Sequence, residues 1–340
     1  MRKKLSVAII GAGNIAGLYD MNKIRRDDGV YTHAGAYERS GRFVMRTICD
    51  IAIEKAEAFK KRWRFDIATS KVNDIYRGFH DVVSVCTPEE THFGIIEKII
   101  RNKAAKTIFA EKPLARRLED IKKIIHLGED NNINVVVNFQ RRFDKSLDRI
   151  RTAIAKKRSN LLAANAYYVK GLDHIGTTAI DTLNYLCGIP SHVLAYNRVF
   201  NLTVNEYSYE FILFYDDYNV TVKTIDSEKL GYTYHIFEID LLFNDKRLTI
   251  NDNSRNIEKK IVGDYAYSGI KVLDDSHSSN EDTGYRYSIL ETVNYIYSIT
   301  QNRREHDRNT PKGSFTNKVI VDAIIRSFHQ RKKVKIRRTI

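Results

Sequence analysis

Hydrophobic positions fall in two different rhythms along this chain. Over the first 140 residues they come in short, predominantly apolar runs, at 5–10, 43–49, 81–86, 107–110 and 134–139. Apolar runs of strand length without polar alternation predict strands buried on both faces. Amphipathic stretches with helical spacing lie between them at 53–63, 91–102 and 118–131. Strand and helix in alternation predict a parallel, doubly wound α/β sheet. After about residue 142 the rhythm changes. Helical patterns at 147–157 and 175–186 and a strand at 161–169 give way to alternating segments at 192–200, 207–215, 220–225, 234–243 and 247–250. Polar turns such as Asp216-Asp217 and Asn244-Asp245 separate these segments. The pattern predicts a mainly antiparallel open sheet with one covered face, closed by helices at 285–300 and 318–331. The expected division is therefore a Rossmann-type α/β domain over 1–140 and an α+β domain over 141–340. Near the C-terminus, Lys333-Val334-Lys335-Ile336-Arg337 alternates with period two, as an edge strand protected by lysines would.

The first apolar run enters Gly11-Ala12-Gly13-Asn14-Ile15-Ala16-Gly17 directly. This is the dinucleotide fingerprint G-x-G-x-x-G/A in the context it needs, with a strand before it and a helix after it. Gly11 permits the tight turn, Gly13 lets the backbone approach a pyrophosphate, and Ala16 is small enough for close helix packing. The helix N-terminus at Asn14 and Ile15 offers N–H groups to the phosphates. The second strand ends at Asp50, after an intervening polar stretch at 20–29, and Asp50 is the candidate ligand for the ribose hydroxyls. Ile51 and Ala52 follow it, with no adjacent arginine to receive a 2′-phosphate, which favours NAD(H) over NADP(H). The run at 81–86 leads into Thr87-Pro88-Glu89-Glu90-Thr91-His92, and Thr87, Pro88 and His92 are placed to line the cofactor crevice. Thr107-Ile108-Phe109-Ala110-Glu111-Lys112-Pro113 reads as a strand stopped by Pro113, which leaves Glu111 and Lys112 at the carboxyl edge where open α/β sheets bind ligands.

Composition narrows the classes. A chain of 340 residues exceeds one ordinary core. No apolar run approaches the ~18 residues of a membrane span, and Met1-Arg2-Lys3-Lys4 leads into a strand and not a signal-peptide core, so a cytoplasmic location is expected. Cys49, Cys86 and Cys187 are far apart and lie in apolar runs, which suits reduced buried thiols and no metal site. The formal charge of +14 is dispersed apart from the tail from Arg331 to Arg338. A nucleic-acid groove would concentrate it among aromatics; a positive cleft for an anionic small molecule such as a nucleotide sugar fits better. No nucleic-acid or membrane partner is expected.

Taken together, the glycine turn, Thr87-Pro88 with His92, Glu111-Lys112-Pro113, the segment 138–143 and Gly176 followed by Asp181 resemble the Gfo/Idh/MocA oxidoreductases, in family order and with family-like spacing. Thr32-His33-Ala34-Gly35-Ala36-Tyr37 and Tyr168-Val169-Lys170-Gly171 look closest to members found among bacterial surface-sugar genes. The resemblance implies NAD(P)-dependent hydride transfer at a sugar or nucleotide-sugar hydroxyl or carbonyl. It also implies a homodimer or homotetramer formed through the second domain's sheet. By the same analogy Lys112 hydrogen-bonds the reacting oxygen, Glu111 orients Lys112 or holds the nicotinamide ribose, and Asp181 belongs to the substrate site.

One position departs from the family. Aligned on Gly176 and Asp181, the place of the usual acid/base histidine holds Thr178, whose hydroxyl does not titrate near neutral pH. His174 lies four residues earlier, on the same helical face. Three readings stay open. His174 is the relocated proton-transfer group; or the protein is a cofactor-binding relative with weak or no turnover; or Lys112 suffices with a substrate-assisted or water-mediated relay. Asp173 is either a substitute carboxylate or a helix N-cap. Tyr168 and Lys170 point to the substrate or cover the sheet surface, and Arg141 is a phosphate ligand or an interdomain ion pair.

Overall fold

The computed structural model describes residues 3–21, 28–156, 160–230, 237–251, 255–265, 269–302 and 305–337. The chain divides into two compact units. One comprises Met1–Phe143 with Arg286–Phe315, the other Asp144–Tyr285 with Thr316–Thr339. The expected single cut near 140 thus misses a return: the segment Arg286–Phe315 belongs with the first unit. The expected helix end at 157, the strand start at 234, Arg338 and part of the polar stretch at 20–29 lie outside the described residues.

In the first unit six strands form one parallel sheet: β1 (Leu5–Ile10), β2 (Phe43–Cys49), β3 (Ile67–Thr69), β4 (His80–Val85), β5 (Ala105–Ala110) and β6 (Asn134–Val137). Their order, β3-β2-β1-β4-β5-β6, is that of a doubly wound dinucleotide-binding sheet and puts the topological switch between β1 and β4. Every residue of β4 is buried, the polar His80, Asp81 and Ser84 included, as befits a central strand covered on both faces. The crossovers carry α1 (Tyr19–Met21), α2 (His33–Ser40), α3 (Ile53–Trp63), α4 (Val72–Arg77), α5 (Glu89–Arg101) and α6 (Leu118–Asp130). Val7, Ile9, Val82, Phe109 and Val136 of the sheet share a core with Ile289, Val293 and Ile296 of α9 (Ser288–Thr300). The exposed edge of β6 is covered: Val137 N–H donates to Asn309 O at 2.8 Å, His306 Nε2 lies 2.8 Å from Val135 O, and Asn309 Nδ2 donates to Phe139 O at 3.0 Å.

In the second unit nine strands form one sheet in the order β14-β13-β12-β11-β7-β10-β9-β8-β15. They are β7 (Leu161–Tyr168), β8 (His192–Asn201), β9 (Glu206–Phe214), β10 (Asn219–Thr224), β11 (Phe237–Phe243), β12 (Lys246–Asn251), β13 (Asn256–Asp264), β14 (Lys271–Asp282) and β15 (Val334–Lys335). All pairs are antiparallel except β7 with β10. The expected edge strand near the C-terminus is β15, paired to β8 at one end of the sheet. β13 and β14, which the periodicity did not indicate, extend the other end. Residues alternate between buried and exposed along β7, so one face is covered and the other open. Helices α7 (Lys145–Ala155) and α8 (Thr177–Cys187) pack on each other. α10 (Pro311–Gln330) begins at a proline, seven residues before the expected start, as suits the first helical position. Among the described residues no helix is long and apolar enough to cross a membrane.

Candidate functional site

The glycine turn is built by backbone from the strands beside it. Gly11 N–H donates to Cys49 O at 2.7 Å and Cys86 N–H to Ile10 O at 2.8 Å, so the ends of β1, β2 and β4 meet at this turn. Gly11 has φ +96°, and a Cβ there would lie 2.7 Å from Cys86 O, so only glycine fits. Gly13 is different: a Cβ at this position would meet nothing within 4 Å. Its face is therefore open space over the start of the helix at Asn14–Leu18. The close packing expected at Ala16 is made at Gly17, where a Cβ would fall 2.5 Å from both Phe59 Cζ and Trp63 Nε1. Ala16 itself is fully buried.

Asp50 closes the turn from β2. Its Oδ2 accepts from Ala12 N–H at 2.8 Å and its Oδ1 from Ala52 N–H at 3.0 Å. A carboxylate has about four lone-pair positions, so two stay available for ribose hydroxyls. Ile51 beside it is 97% exposed.

At the end of β4, Thr87 is half-buried and Pro88 exposed, and Thr91 Oγ1 lies 2.7 Å from Thr87 Oγ1. His92 does not line a crevice. It is buried inside α5, with Nδ1 2.8 Å from Pro113 O and Nε2 2.8 Å from Thr87 O. Both nitrogens meet backbone carbonyls, so the ring ties the loop after β4 to the loop after β5. Helix α5 starts at Glu89 with Pro88 as its N-cap, earlier than the apolar spacing indicates, and this carries His92 into the helix interior.

Glu111 and Lys112 stand at the carboxyl end of β5, where the Lys112–Pro113 peptide is cis. Glu111 N–H donates to Val85 O at 3.0 Å, which extends the sheet by one residue. The Glu111 side chain is 12% exposed. Its Oε1 receives Asn138 Nδ2 at 2.6 Å and lies 2.9 Å from His33 Nε2, while Oε2 lies 3.3 Å from Lys112 N. Burial pushes this carboxyl up, but the hydrogen bonds from His33 and Asn138 and the Lys112 charge outweigh it and hold it below its ordinary value. Asn138 Oδ1 is buried with no hydrogen-bond partner, an acceptor open to an incoming donor. Cys86 is buried close to Glu111, and burial first, then this carboxylate, raise its thiol well above the usual range. Arg141 is buried in a tight turn after β6.

The remaining expected residues lie in the second unit. Tyr168 is a core residue: its hydroxyl donates to Tyr209 O at 2.9 Å and accepts from Tyr209 N–H at 2.6 Å. The phenol thus spends its donor and one acceptor position on backbone, and the covering of sheet surface is the one of the two expected roles that this burial favours. Lys170 is half-buried, in left-handed backbone at φ 59° and ψ 53°, and starts a π-helical turn at Gly171–Gly176 that runs into α8. His174 is exposed on that turn and Thr178 is buried, so the expected shared face does not give them one environment. Asp173 pairs with Lys318 Nζ at 3.3 Å and does not cap α8, whose N-terminus follows the π-helical turn without a side-chain cap. Asp181 is buried and accepts from Asn317 Nδ2 at 2.7 Å.

The residues that sequence reasoning underrated are His33, Tyr37 and Ser84. His33 and Tyr37 stood only within a block of family likeness; a histidine and a tyrosine four apart in an Ala/Gly-rich helix was the available signal. Among the described residues, no cluster of three or more His, Cys, Asp or Glu side chains could hold a metal ion.

Comparison with known proteins places this geometry among relatives. Residues 5–139 match the family model described as "Oxidoreductase family, NAD-binding Rossmann fold". Inositol 2-dehydrogenase of Rhizobium meliloti (strain 1021) is 38% identical over 74 residues, which is 22% of this chain and 22% of that protein. The match therefore spans well under two thirds of that relative's length. Among solved structures, a putative NADPH-dependent oxidoreductase from Desulfitobacterium hafniense DCB-2 superposes with a TM-score of 0.78 at 19% identity, covering 99% of each chain. Levoglucosan dehydrogenase in complex with NADH and levoglucosan superposes with a TM-score of 0.76 at 18% identity, covering 99% of this chain and 100% of that one. At these identities the likeness is one of fold.

Proposed function

We propose, from the premise that this chain carries the NAD-binding Rossmann domain of the Gfo/Idh/MocA oxidoreductase family, that it is an NAD-dependent oxidoreductase acting on a CH–OH or carbonyl carbon of a sugar, cyclitol or nucleotide sugar. The observation that carries the reading is the end of β5: Lys112 follows a carboxylate held by two side-chain donors, on the same sheet edge as the glycine turn. The residues present fit the cofactor. Gly13 leaves open space at a helix start, Asp50 keeps free lone pairs, and Asn138 Oδ1 lacks a donor. Gly11, Gly13, Asn14, Ile15 and Asp50 would hold the dinucleotide, with Thr87, Pro88 and Glu111 along the nicotinamide side. The carboxylate of Asp50 opposes a 2′-phosphate, which favours NAD(H) by about tenfold or more.

The nicotinamide supplies the hydride chemistry. The chain's own task is the proton on the reacting oxygen. Lys112 donates a hydrogen bond to that oxygen and steadies the charge that develops on it. His174 is the candidate partner for proton transfer, since the hydroxyl of Thr178 cannot serve near neutral pH. Lys170 and Arg141 are the candidates for an anionic group on the substrate. A homodimer or homotetramer joined through the open face of the nine-stranded sheet completes the proposal. Leu162, Tyr167, Tyr196, Phe200, Tyr207 and Leu242 are exposed in its strands.

Fluorescence titration with NADH and NADPH tests the cofactor site. A panel of inositols, levoglucosan and UDP-, GDP- and dTDP-sugars in the same cuvette tests turnover. The reading expects NADH to bind more tightly than NADPH and one polyol to change the nicotinamide absorbance. His174→Ala then reports whether that residue moves the proton. Because Thr178 stands where the family histidine is expected, a second reading is a cofactor-binding relative without turnover; NADH binding with a silent panel would select it.

A further inference from the structure

Helix α2 carries a polar face that the dinucleotide reading does not use. Thr32 caps the helix by accepting from Gly35 N–H, and Asp20 in turn accepts from the N–H of Thr32 at 2.9 Å. The start of the helix is thereby fixed. His33 and Tyr37 are four residues apart and share one face, and both reach the same hydroxyl on β4. His33 Nδ1 lies 3.1 Å from Ser84 Oγ and Tyr37 Oη 2.8 Å from it. The other ring nitrogen, Nε2, lies 2.9 Å from Glu111 Oε1. The His33 ring is further held against Phe109, with ring centroids 4.1 Å apart. His33, Tyr37 and Ser84 are all buried.

Hydrogen-bond arithmetic orders the protons in this chain. Ser84 Oγ is the one partner of the Tyr37 hydroxyl among the described residues, so Tyr37 donates to it. Ser84 then gives its own proton to His33 Nδ1, and the ring carries its proton on Nε2, aimed at the carboxylate. The opposite order would leave a buried Tyr37 O–H without an acceptor, which native interiors avoid.

We infer that His33 is a positioning residue for Glu111. The Tyr37–Ser84 pair sets its tautomer, and the ring together with Asn138 fixes Oε1, so that Oε2 faces the Lys112 backbone amide at the end of β5. For its kinetic part the inference rests on the hydride-transfer reading. A merely structural histidine would fill the same space without needing its proton on Nε2.

The test uses the full chain labelled with ¹⁵N-histidine, with the His33 ring signals assigned by their loss in His33→Gln. The expected spectrum shows Nε2 protonated, Nδ1 unprotonated and a slowly exchanging Nε2 proton whose shift changes in Glu111→Gln. In Ser84→Ala the tautomer is released. Kinetically, His33→Ala is expected to lower kcat about 10- to 100-fold through misplacement of the reacting groups. Substrate KM should stay within about threefold, because the lost interaction is not one of uniform substrate binding. His33→Gln, which keeps an N–H donor, should recover part of the loss. A ring protonated on Nδ1, or His33→Ala with wild-type kcat, overturns the inference. If His33→Ala does not fold, the ring spectrum of wild type and Ser84→Ala decides. If wild type turns over no sugar, the hydride-transfer reading fails, while the same spectrum still upholds or overturns the hold on Glu111.

Discussion

Gly11 and Gly13 sit two residues apart in one turn, yet the same substitution should act on them in opposite ways. At Gly11 the backbone is left-handed at φ +96°, and an added Cβ meets Cys86 O at 2.7 Å and Cys86 C at 2.9 Å, backbone atoms that cannot swing aside. The left-handed conformation alone costs an alanine about 1–2 kcal/mol, and the collision adds to it. Gly11→Ala should therefore lose stability before cofactor binding can be asked about. At Gly13 the backbone has φ −90° and ψ −166°, which alanine adopts without strain, and beyond the adjoining residues no atom lies within 4 Å of the new methyl group. Reduced unfolded-state entropy contributes about 0.4–1 kcal/mol of stability, offset by a similar loss at an N-cap position, where glycine is preferred to alanine. The melting temperature should stay within about 2 °C of wild type. The methyl group, however, occupies the open face where the pyrophosphate is proposed to lie. Losing one hydrogen bond to a charged group costs about 1.5–3 kcal/mol, so NADH affinity should fall about 10- to 100-fold. Thermal unfolding and NADH fluorescence titration on both variants read the two effects separately. A Gly13→Ala protein that melts like wild type and binds NADH with wild-type affinity would refute the assignment of this turn to the cofactor.

Further outcomes follow from the same structure. Tyr168→Phe leaves Tyr209 N–H and Tyr209 O without their buried partner; urea unfolding should show a loss of about 1–3 kcal/mol, with substrate KM unchanged. The Glu111 carboxyl titrates below its ordinary value when folded. Its contribution to stability is thus complete above the unfolded value and lost as pH falls through the folded one. Melting curves taken through the acid range should fall more steeply for wild type than for Glu111→Gln. Lys170→Gly relieves left-handed backbone at φ 59° and should raise stability by about 1 kcal/mol. If Lys170 meets an anionic group of the substrate, the same variant should raise KM about tenfold.

Much of the first unit was legible because buried parallel strands announce themselves. β1, β2, β4, β5 and β6 are apolar runs that enter turn residues, and the glycine turn names the switch point. Two elements were too short to read: β3 has three residues and α4 has six, and they exist because β2 and neighbouring helices hold them. β13 and β14 were missed for another reason. A segment such as Lys271–Asp282 is polar apart from Val272 and Leu273, and it becomes a strand through the backbone ladder to β13 at the sheet's end, not through an apolar face. The return of Arg286–Phe315 to the first unit is a long-range property: Thr300 Oγ1 lies 2.8 Å from Thr107 Oγ1, and nothing local to either position predicts it. His92 and Tyr168 show the limit for the site. Each stands where a ligand contact was expected, and each spends its polar atoms on backbone groups instead. Sequence position places a polar side chain near a sheet edge but does not say whether solvent or a carbonyl will meet it. The case of His33 is the reverse, a residue with no motif of its own that the fold brings to Glu111.

Hydride transfer is tested most directly by comparing wild type and Lys112→Met for the initial rate of nicotinamide reduction across inositols, levoglucosan and nucleotide sugars. One polyol should reduce NAD with wild type, and Lys112→Met should lower kcat by about 10²–10⁴ with NADH binding intact. A wild-type protein that binds NADH yet turns over nothing in the panel, or a Lys112→Met variant with unchanged kcat, would contradict the proposed role of the β5 end.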